Sequence, residues 1–325
     1  MKNILFRCDS SSTIGLGHVK RCLVLAKRLK EYDKNLKILF ATQNLYGNIN
    51  EEILKSGFSI YSISDNSAKM LDYFVKGLRI NLLIIDSYDI DYKFEEQLKI
   101  QNPSLKILSF DDTLNPHKSD MVLNHGVQAQ EKEYKNSLPK KTKLFCGSEY
   151  TLLRDEFLEA KRVKVTRNSV AVILGGNDVL NLSSKIADLL LEINKKYKIT
   201  IITTSANQNL KELKQSTNIE VLVDINNIAN VLSSKSLVIT ASGGTLFEVL
   251  SLKKKFINIE VASNQKVVDK FLKNKGIKTT IKAEDLTKES LKNRIEYIKK
   301  NNVYKKLTLK FAKNRLVKKI LKELK

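Results

Sequence analysis

A histidine directly follows a glycine-rich loop near the start of the chain. The apolar run Asn3–Cys8 is followed by a polar segment that contains Gly15 and Gly17 and ends at His18. Two glycines at a strand–helix junction let the backbone approach a ligand closely and aim helix N–H groups at an anion. The positive end of a helix tends to keep a neighbouring imidazole neutral, as a general base requires. The pattern therefore predicts a ligand-binding loop with His18 as a base, and a histidine that only caps the helix is the alternative.

A second loop of small residues lies in the other half of the chain. It contains Ser242, Gly243, Gly244 and Thr245, and Glu248 follows one helical turn later. Backbone amides at such a helix start can bind a pyrophosphate, and the carboxylate can accept hydrogen bonds from two ribose hydroxyls. A tight turn with a solvated glutamate is the alternative.

The pair Gly175–Gly176 follows an apolar run in the same manner, with a simple left-handed turn as the alternative. The first of these loops is not a dinucleotide-binding GxGxxG motif, because the third glycine position is not occupied by glycine. The Walker lysine pattern is also missing from them.

Apolar strands alternate with helical patterns along the chain. Strands are expected at 36–42, 58–62, 81–86 and 106–110, with helices between them, and a second series starts near residue 168. Continuous apolar strands separated by helices are typical of parallel sheets that are covered on both faces. The sequence thus predicts two similar α/β halves, with a boundary between about residues 146 and 167. Ligands in such sheets bind beyond the carboxyl ends of the strands, so two facing halves would form a cleft.

Composition limits the remaining classes of protein. The 325 residues suit two domains, and a formal net charge of +22 could indicate a nucleic-acid or membrane partner. Most of that excess lies after residue 250, however, and nearly all of it is lysine, whereas specific nucleic-acid readers rely on arginine. No apolar stretch is long enough to span a membrane, and three widely spaced cysteines favour a reducing cytoplasm. We expect no nucleic-acid partner, no integral membrane segment and a monomer.

The C-terminal segment 301–325 is basic and has apolar residues at helical spacing, among them Tyr304, Leu307 and Phe311. It predicts an amphipathic helix that packs on a domain, with a membrane-surface helix as the alternative.

Several motifs together resemble one enzyme family. The opening segment reads Arg7-x-Asp9-Ser10-Ser11-Ser12-x-Ile14-Gly15-x-Gly17-His18-x-Lys20-Arg21. It is similar to the start of the UDP-2,4-diacetamido-2,4,6-trideoxy-β-L-altropyranose hydrolases, the pseudaminic acid biosynthesis enzymes. Further matching segments follow in the same order: Leu82–Asp86 with Tyr88, Ile107–Asp112, Leu123-Asn124, Leu153-Arg154-x-Glu156-Phe157, Gly175-Gly176-x-Asp178, Ser242–Glu248 and Asn264-Gln265.

This resemblance implies a GT-B-like fold, in which two Rossmann-like, doubly wound parallel-sheet domains face a central cleft. The domains would be 1–150 on the sugar side and 165–300 on the UDP side, with 301–325 as the C-terminal helix. His18 would be catalytic. The sugar would be bound by Asp9, Gly15, Gly17, Arg21, Tyr88, Asn124 and Asn264, and UDP by Gly175, Gly176, Ser242, Gly243, Gly244, Thr245, Glu248 and Gln265.

The resemblance also implies the reaction. A UDP-sugar would be hydrolysed by C–O cleavage with inversion at C1, without a metal or cofactor, in a pathway that supplies flagellin glycosylation. A diphosphate leaves without an acid catalyst, so helix-end amides and one base are sufficient. The chain departs from the family at Ser87, where a bulkier polar residue, often histidine, is expected, and in residues 277–325, which extend beyond the shorter members.

Two other functions are consistent with the same residues. A GT-B glycosyltransferase would use the same UDP-sugar donor but would also need an acceptor site. A non-enzymatic protein could instead bind nucleic acid or an anionic membrane through the basic C-terminus.

Overall fold

The computed structural model describes residues 2–161 and 163–324 of the chain. The chain divides into two compact units, Met1–Leu152 together with Lys310–Lys325, and Leu153–Leu309. Each unit is built around one parallel sheet with helices on its faces. The expected fold class, two Rossmann-like parallel α/β sheets, is therefore confirmed.

The first unit contains a seven-stranded sheet. Its strands are β1 (Asn3–Cys8), β2 (Lys37–Thr42), β3 (Ser59–Ser62), β4 (Leu82–Asp86), β5 (Lys106–Phe110), β6 (Met121–Asn124) and β7 (Lys143–Cys146). Its helices, in chain order, are α1 (Gly17–Tyr32), α2 (Asn50–Lys55), α3 (Ala68–Gly77) and α4 (Tyr92–Gln101). Strands such as β4 are buried along their whole length, because helices cover both faces of the sheet.

The strand order of this sheet is β3-β2-β1-β4-β5-β6-β7. The order reverses between β1 and β4, which are parallel neighbours, with Cys8 opposite Asp86 at their carboxyl ends. Such a reversal leaves a crevice at the carboxyl ends of the two strands, where ligands bind in open α/β sheets. The loop after β1, which carries Gly15 and Gly17, is at this edge.

The second unit repeats this arrangement with six strands. They are β8 (Ser169–Ile173), β9 (Lys198–Thr203), β10 (Ile219–Val223), β11 (Leu237–Ala241), β12 (Phe256–Glu260) and β13 (Thr280–Lys282). The helices are α5 (Asp155–Leu158), α6 (Leu182–Ile193), α7 (Leu210–Gln215), α8 (Ile228–Ser234), α9 (Gly244–Ser251), α10 (Lys266–Asn274) and α11 (Lys288–Lys300). The strand order β10-β9-β8-β11-β12-β13 reverses between β8 and β11, so the glycine-containing loops after these two strands share one edge.

The last helix, α12 (Arg315–Glu323), is shorter than the helix expected over 301–325. A 3-10 turn covers Val303–Lys306, and residues 307–313 form no regular element. Leu307, Leu309 and Phe311 alternate as partly buried residues, a two-residue period that suits extended chain rather than a helix.

The apolar face of α12 packs into the core of the first unit against α1. Leu316, Val317 and Ile320 are buried there, in the same cluster as residues of α1. This packing places the apolar face inside the protein, where a membrane-surface helix would need it exposed. Among residues 2–161 and 163–324, no helix is long and apolar enough to cross a membrane.

The α12 contact can be tested by cavity formation. Ile320 is fully buried, so Ile320→Ala should reduce the free energy of unfolding by about 2–5 kcal/mol. The exposed neighbour Lys319 provides a matched control, because Lys319→Ala should change it by less than about 0.5 kcal/mol. Urea denaturation followed by circular dichroism measures both, and equal midpoints for the two variants would contradict the packing.

Candidate active site

His18 and Asp86 meet at the carboxyl edge of the first sheet. Helix α1 begins at Gly17, so His18 lies in its first turn, while Asp86 is the last residue of β4. The imidazole Nδ1 lies 2.6 Å from Asp86 Oδ1. Both side chains are buried, with exposed fractions of 9% for His18 and 1% for Asp86. The reversal of strand order between β1 and β4 therefore brings together two residues that are 68 positions apart.

Arg21 holds the other side of the Asp86 carboxylate. Its Nε donates to Asp86 Oδ2 and its Nη2 to Asp86 Oδ1, both at 2.5 Å, in a bidentate ion pair. Burial alone would raise the pKa of Asp86, but the charges of Arg21 and His18 outweigh burial and hold this pKa well below its usual range. Asp86 is therefore a permanent carboxylate at neutral pH.

This carboxylate selects the tautomer of the imidazole. An ionised Asp86 can only accept hydrogen bonds, so His18 donates its Nδ1–H to Asp86 Oδ1. The lone pair of a neutral His18 is then on Nε2. If Nε2 takes up a proton, the adjacent carboxylate stabilises the resulting imidazolium, as in other carboxylate–histidine pairs that act as general bases.

Asp112 and His125 also contact the Arg21 guanidinium. Asp112, two residues after β5, accepts from Arg21 Nη1 at 3.3 Å and from the Tyr88 hydroxyl at 2.9 Å. The Tyr88 ring stands edge-on to the His18 ring, with centroids 4.9 Å apart. His125 Nε2 lies 3.1 Å from Arg21 Nη1 and accepts its hydrogen bond. Burial, followed by the charge of Arg21, lowers the pKa of His125 to about 3, so this imidazole is neutral.

Asp9 and Asn124, both expected to bind the sugar, are occupied by bonds within the first unit. Asp9 Oδ2 accepts from the fully buried Arg7 at 2.5 Å, and Asp9 Oδ1 accepts from the backbone N–H of Gln43 at 2.7 Å. Asn124 donates to the Tyr134 hydroxyl and accepts from the Gly126 N–H. These bonds hold the loops after β1 and β6.

The glycines of the first loop differ in conformation. Gly15 has φ +84°, a left-handed conformation that side chains rarely adopt, and it forms a bridge with Ser11. Gly17 starts α1, whose N-cap residue, Leu16, makes no side-chain cap. The first-turn amides of α1 are therefore not capped by a side chain of the N-cap residue.

In the second unit, Ser242 and Gly243 form the turn between β11 and α9, and Gly244 and Thr245 begin α9. Gly243 is the N-cap residue of α9 and makes no side-chain cap, and Gly244 is exposed. An uncapped helix start presents orphan N–H groups that suit a phosphate. The buried Asn258 donates to Ser242 Oγ at 2.8 Å and so fixes this hydroxyl.

The start of α6 is different, because a carboxylate already fills it. Asp178 Oδ1 accepts from the Leu182 N–H at 3.1 Å and Asp178 Oδ2 from the Ser183 N–H at 2.9 Å. Gly175, with φ +92°, and Gly176 form the turn after β8, next to the β11–α9 turn, and Thr203 and Thr204 bond the Gly176 carbonyl. Of the two helix starts that follow β8 and β11, that of α6 has a carboxylate cap and that of α9 has none.

Glu248 lies in α9 and is gripped by Arg154. Arg154 Nε donates to Glu248 Oε1 at 2.7 Å and Arg154 Nη2 to Glu248 Oε2 at 2.8 Å. The Arg154 guanidinium also lies 4.8 Å from the Phe157 ring centroid. The fork fixes the plane of the carboxylate, and each oxygen can accept more than one hydrogen bond.

Asn264 and Gln265 lie in a 3-10 turn between β12 and α10. Gln265 Oε1 accepts from the Val261 N–H at 2.9 Å, while its Nε2 is directed towards Gly243, 4.0 Å from where a Cβ would stand. The structure thus brings Gln265 to the start of α9.

Sequence reasoning missed several members of these sites. Asp86, Asp112 and Arg154 were visible only as parts of motifs, and neither His117 nor His125 was among the expected site residues. Asp86, Asp112 and His125 share one signal, a titratable side chain at or within two positions of a parallel strand's carboxyl end.

The buried His117 forms an ion pair with Glu95. His117 Nδ1 lies 2.7 Å from Glu95 Oε1, and His117 Nε2 lies 3.9 Å from Asp111 Oδ1. Burial lowers its pKa, but Asp111 and Glu95 more than compensate and raise it from 6.5 to about 9. The ring is therefore cationic at neutral pH.

Comparisons with known proteins agree with the fold of the two units. Residues 169–324 match the Glycosyltransferase family 28 C-terminal domain. The crystal structure of Acinetobacter baumannii MurG superimposes with a TM-score of 0.66 and 15% identity, covering 99% of this chain and 100% of that one. The fold is thus the GT-B fold of glycosyltransferases.

Two curated relatives narrow the family. The UDP-2,4-diacetamido-2,4,6-trideoxy-β-L-altropyranose hydrolase of Campylobacter jejuni is 36% identical over 86% of this chain and 99% of the relative. A Helicobacter pylori protein that combines pseudaminic acid cytidylyltransferase with the same hydrolase is 25% identical over 87% of this chain and 49% of the relative. The chain belongs to the family of these UDP-sugar hydrolases.

The His117 ion pair makes stability depend on pH. The folded pKa is above the unfolded one, so its contribution is complete below pH 6.5 and is lost as pH rises through about 9. The destabilisation caused by His117→Gln, measured by urea unfolding, should therefore shrink across this range. His125→Gln is the control with the opposite sign, because its destabilisation should shrink as pH falls below 6.5. A pH-independent difference for His117→Gln would contradict the ion pair.

Proposed function

We propose that this protein hydrolyses UDP-2,4-diacetamido-2,4,6-trideoxy-β-L-altropyranose to UDP and the free sugar, as a step of pseudaminic acid biosynthesis. The observation that carries the proposal is the buried His18–Asp86 pair, which supplies a general base in a chain of this family. The named reaction of the Campylobacter jejuni relative gives the substrate.

His18 acts as the base towards water. Asp86 keeps the imidazole in the tautomer that has its lone pair on Nε2, and Arg21 keeps Asp86 ionised. Nε2 takes a proton from a water that attacks the anomeric carbon, on the ring face opposite the diphosphate. The C1–O bond breaks, both of its electrons leave with UDP, and the configuration at C1 inverts.

The second unit binds the nucleotide. Amides at Gly243, Gly244 and Thr245 point their N–H groups at the diphosphate, and they stabilise the leaving group without a metal. Glu248 accepts hydrogen bonds from the two ribose hydroxyls, while the ion pair with Arg154 fixes the plane of its carboxylate. Gly175, Gly176, Ser242 and Gln265 complete the UDP site.

The sugar is bound by residues of the first unit. Tyr88 packs against His18 and contacts the sugar ring. Gly15 and Gly17 let the backbone approach the sugar closely. We propose that Asp9 and Asn124 contribute by holding their loops rather than by direct contact, because their polar atoms already bond within the unit. Arg21 likewise contributes without direct contact to the sugar, because it holds the carboxylate of Asp86.

Substitution of the base should abolish most of the activity. His18→Phe is expected to reduce kcat for UDP release by about 10²–10⁴-fold, the usual contribution of a general base. Asp86→Asn should also reduce kcat, because an amide no longer fixes the tautomer. Full UDP release by His18→Phe would rule out its role.

Wild-type activity should be the same in EDTA, and loss of activity on chelation would show that a metal is required.

Isotope labelling identifies the bond that breaks. In H₂¹⁸O, attack at the anomeric carbon places the label on the sugar, whereas attack at phosphorus places it on UDP. NMR of the first product formed, before the anomers equilibrate, should show inversion. Label in UDP, or retention at C1, would contradict this mechanism.

The ribose contact can be separated from catalysis. Glu248→Gln should raise KM for the UDP-sugar by about 10-fold or more, because charged hydrogen bonds contribute about 1.5–3 kcal/mol. With the 2′-deoxyuridine analogue of the substrate, the penalty for this substitution should be smaller, since one ribose hydroxyl is missing. Equal penalties on the two substrates would contradict a contact to that hydroxyl.

A glycosyltransferase is the second candidate, because the match to the family 28 domain covers most of the second unit. A transferase releases UDP only when an acceptor is present, whereas a hydrolase needs only water. UDP release without acceptors supports hydrolysis, and a transfer product formed in preference to free sugar would favour the transferase.

A further inference from the structure

The first unit contains a cavity of about 260 Å³ at the carboxyl ends of β4 and β5. Tyr88 lines this cavity, and the same ring packs edge-on to His18. Phe110 also lines it, and the Arg21 guanidinium lies 5.1 Å from the Phe110 ring centroid. The cavity therefore adjoins the His18–Asp86 pair through two shared aromatic walls.

Its size suits part of a ligand rather than a whole one. Pockets for complete small-molecule ligands usually measure about 300–1,000 Å³, whereas this cavity has about 260 Å³. Ile90, Tyr92 and Pro116 provide apolar wall, while Ser87 and Asn115 provide hydroxyl and amide groups. Such a mixture suits a small group that has both an apolar and a hydrogen-bonding part.

The charges of the lining exclude an anionic group. Asp91 and Asp111 both line the cavity, and the positive charge of His117 is balanced by Glu95 behind it. A carboxylate or phosphate would therefore meet net negative charge. A neutral group that offers an N–H donor fits better, because carboxylate oxygens only accept.

The walls are fixed before any ligand arrives. Asp91 Oδ1 caps α4 through the N–H groups of Lys93 and Phe94. Asp111 accepts from the backbone of Thr113 and Leu114. Glu95 accepts from Ser109 and His117 and so anchors the loop after β5 from below. Preformed walls favour selection between substituents, because little ordering free energy is lost on binding.

We propose that this cavity is a subsite for one acetamido group of the sugar, with Ser87 as the residue that leaves room for it. The inference rests on the proposed hydrolase function and specifies which part of the first unit selects the substrate. The acetamido methyl packs on the aromatic walls. Its N–H faces the carboxylates, and its carbonyl faces the hydroxyl and amide groups. Ser87 lines the cavity, and its small side chain leaves this space open.

The test compares Ser87→Leu, which fills the cavity, with Ser104→Leu as a matched control. Ser104 is exposed in the loop before β5, at the opposite edge of the sheet. The substrates are the 2,4-diacetamido UDP-sugar and two analogues, each with one acetamido group replaced by a hydroxyl. The wild type and Ser104→Leu should prefer the parent over one analogue by about 10–200-fold in kcat/KM. Ser87→Leu should lose that preference, mainly through slower turnover of the parent.

The subsite is rejected if Ser87→Leu slows all three substrates by the same factor or leaves the preference intact while the wild type still hydrolyses the parent. A binding readout separates this failure from failure of the proposed function. With His18→Phe and a substrate ¹³C-labelled in the acetyl methyls, nuclear Overhauser effects to the rings of Tyr88 and Tyr92 are expected. Those contacts without UDP release by the wild type would retain the subsite and overturn the hydrolase. The absence of both would overturn both.

Discussion

The first unit depends on a single buried carboxylate. Asp86 is almost completely buried, and an uncompensated charge at such a position costs several kcal/mol. Arg21 supplies two charge-assisted hydrogen bonds and His18 a third, so the end of β4 and the first two turns of α1 are bound into one arrangement. The interaction that stabilises the fold here also sets the tautomer of the histidine. Removing Asp86 therefore affects both the charge balance of the site and the base.

In both units, the candidate site residues meet at a reversal of strand order. In the first unit the reversal between β1 and β4 joins a histidine to a carboxylate, and in the second the reversal between β8 and β11 joins two small-residue turns. The side chains match the different roles proposed for the two units. A base needs a polar partner to fix its proton, whereas an anion site needs unoccupied amides. Asp178 fills the start of α6 while α9 has no side-chain cap, so only one of the two adjacent helix starts is suited to a phosphate.

The sequence was sufficient to predict what depends on local pattern. The alternation of apolar strands and helices predicted both parallel sheets, and local motifs indicated His18 and the Ser242–Thr245 turn. The partner of His18 could not be predicted in this way, because Asp86 lies 68 residues away and becomes a neighbour only when β1 pairs with β4. Asp9, which the resemblance implies as a sugar-binding residue, forms an ion pair with Arg7. The four-residue strands β6 and β7 are too short for periodicity to reveal.

The choice between lysine and arginine shows how little of the net charge these sites use. Lysine dominates the basic residues of the chain, yet three carboxylates of the two units are held by arginines: Asp9 by Arg7, Asp86 by Arg21 and Glu248 by Arg154. A guanidinium can bond both oxygens of a carboxylate from two nitrogens in one plane, as Arg21 and Arg154 do. A lysine ammonium is a point charge that could neutralise Asp86 or Glu248 without fixing its plane. The roles proposed for these sites, a fixed histidine tautomer and contacts to two ribose hydroxyls, depend on orientation, so the few arginines, rather than the lysine excess, carry the electrostatics of both sites.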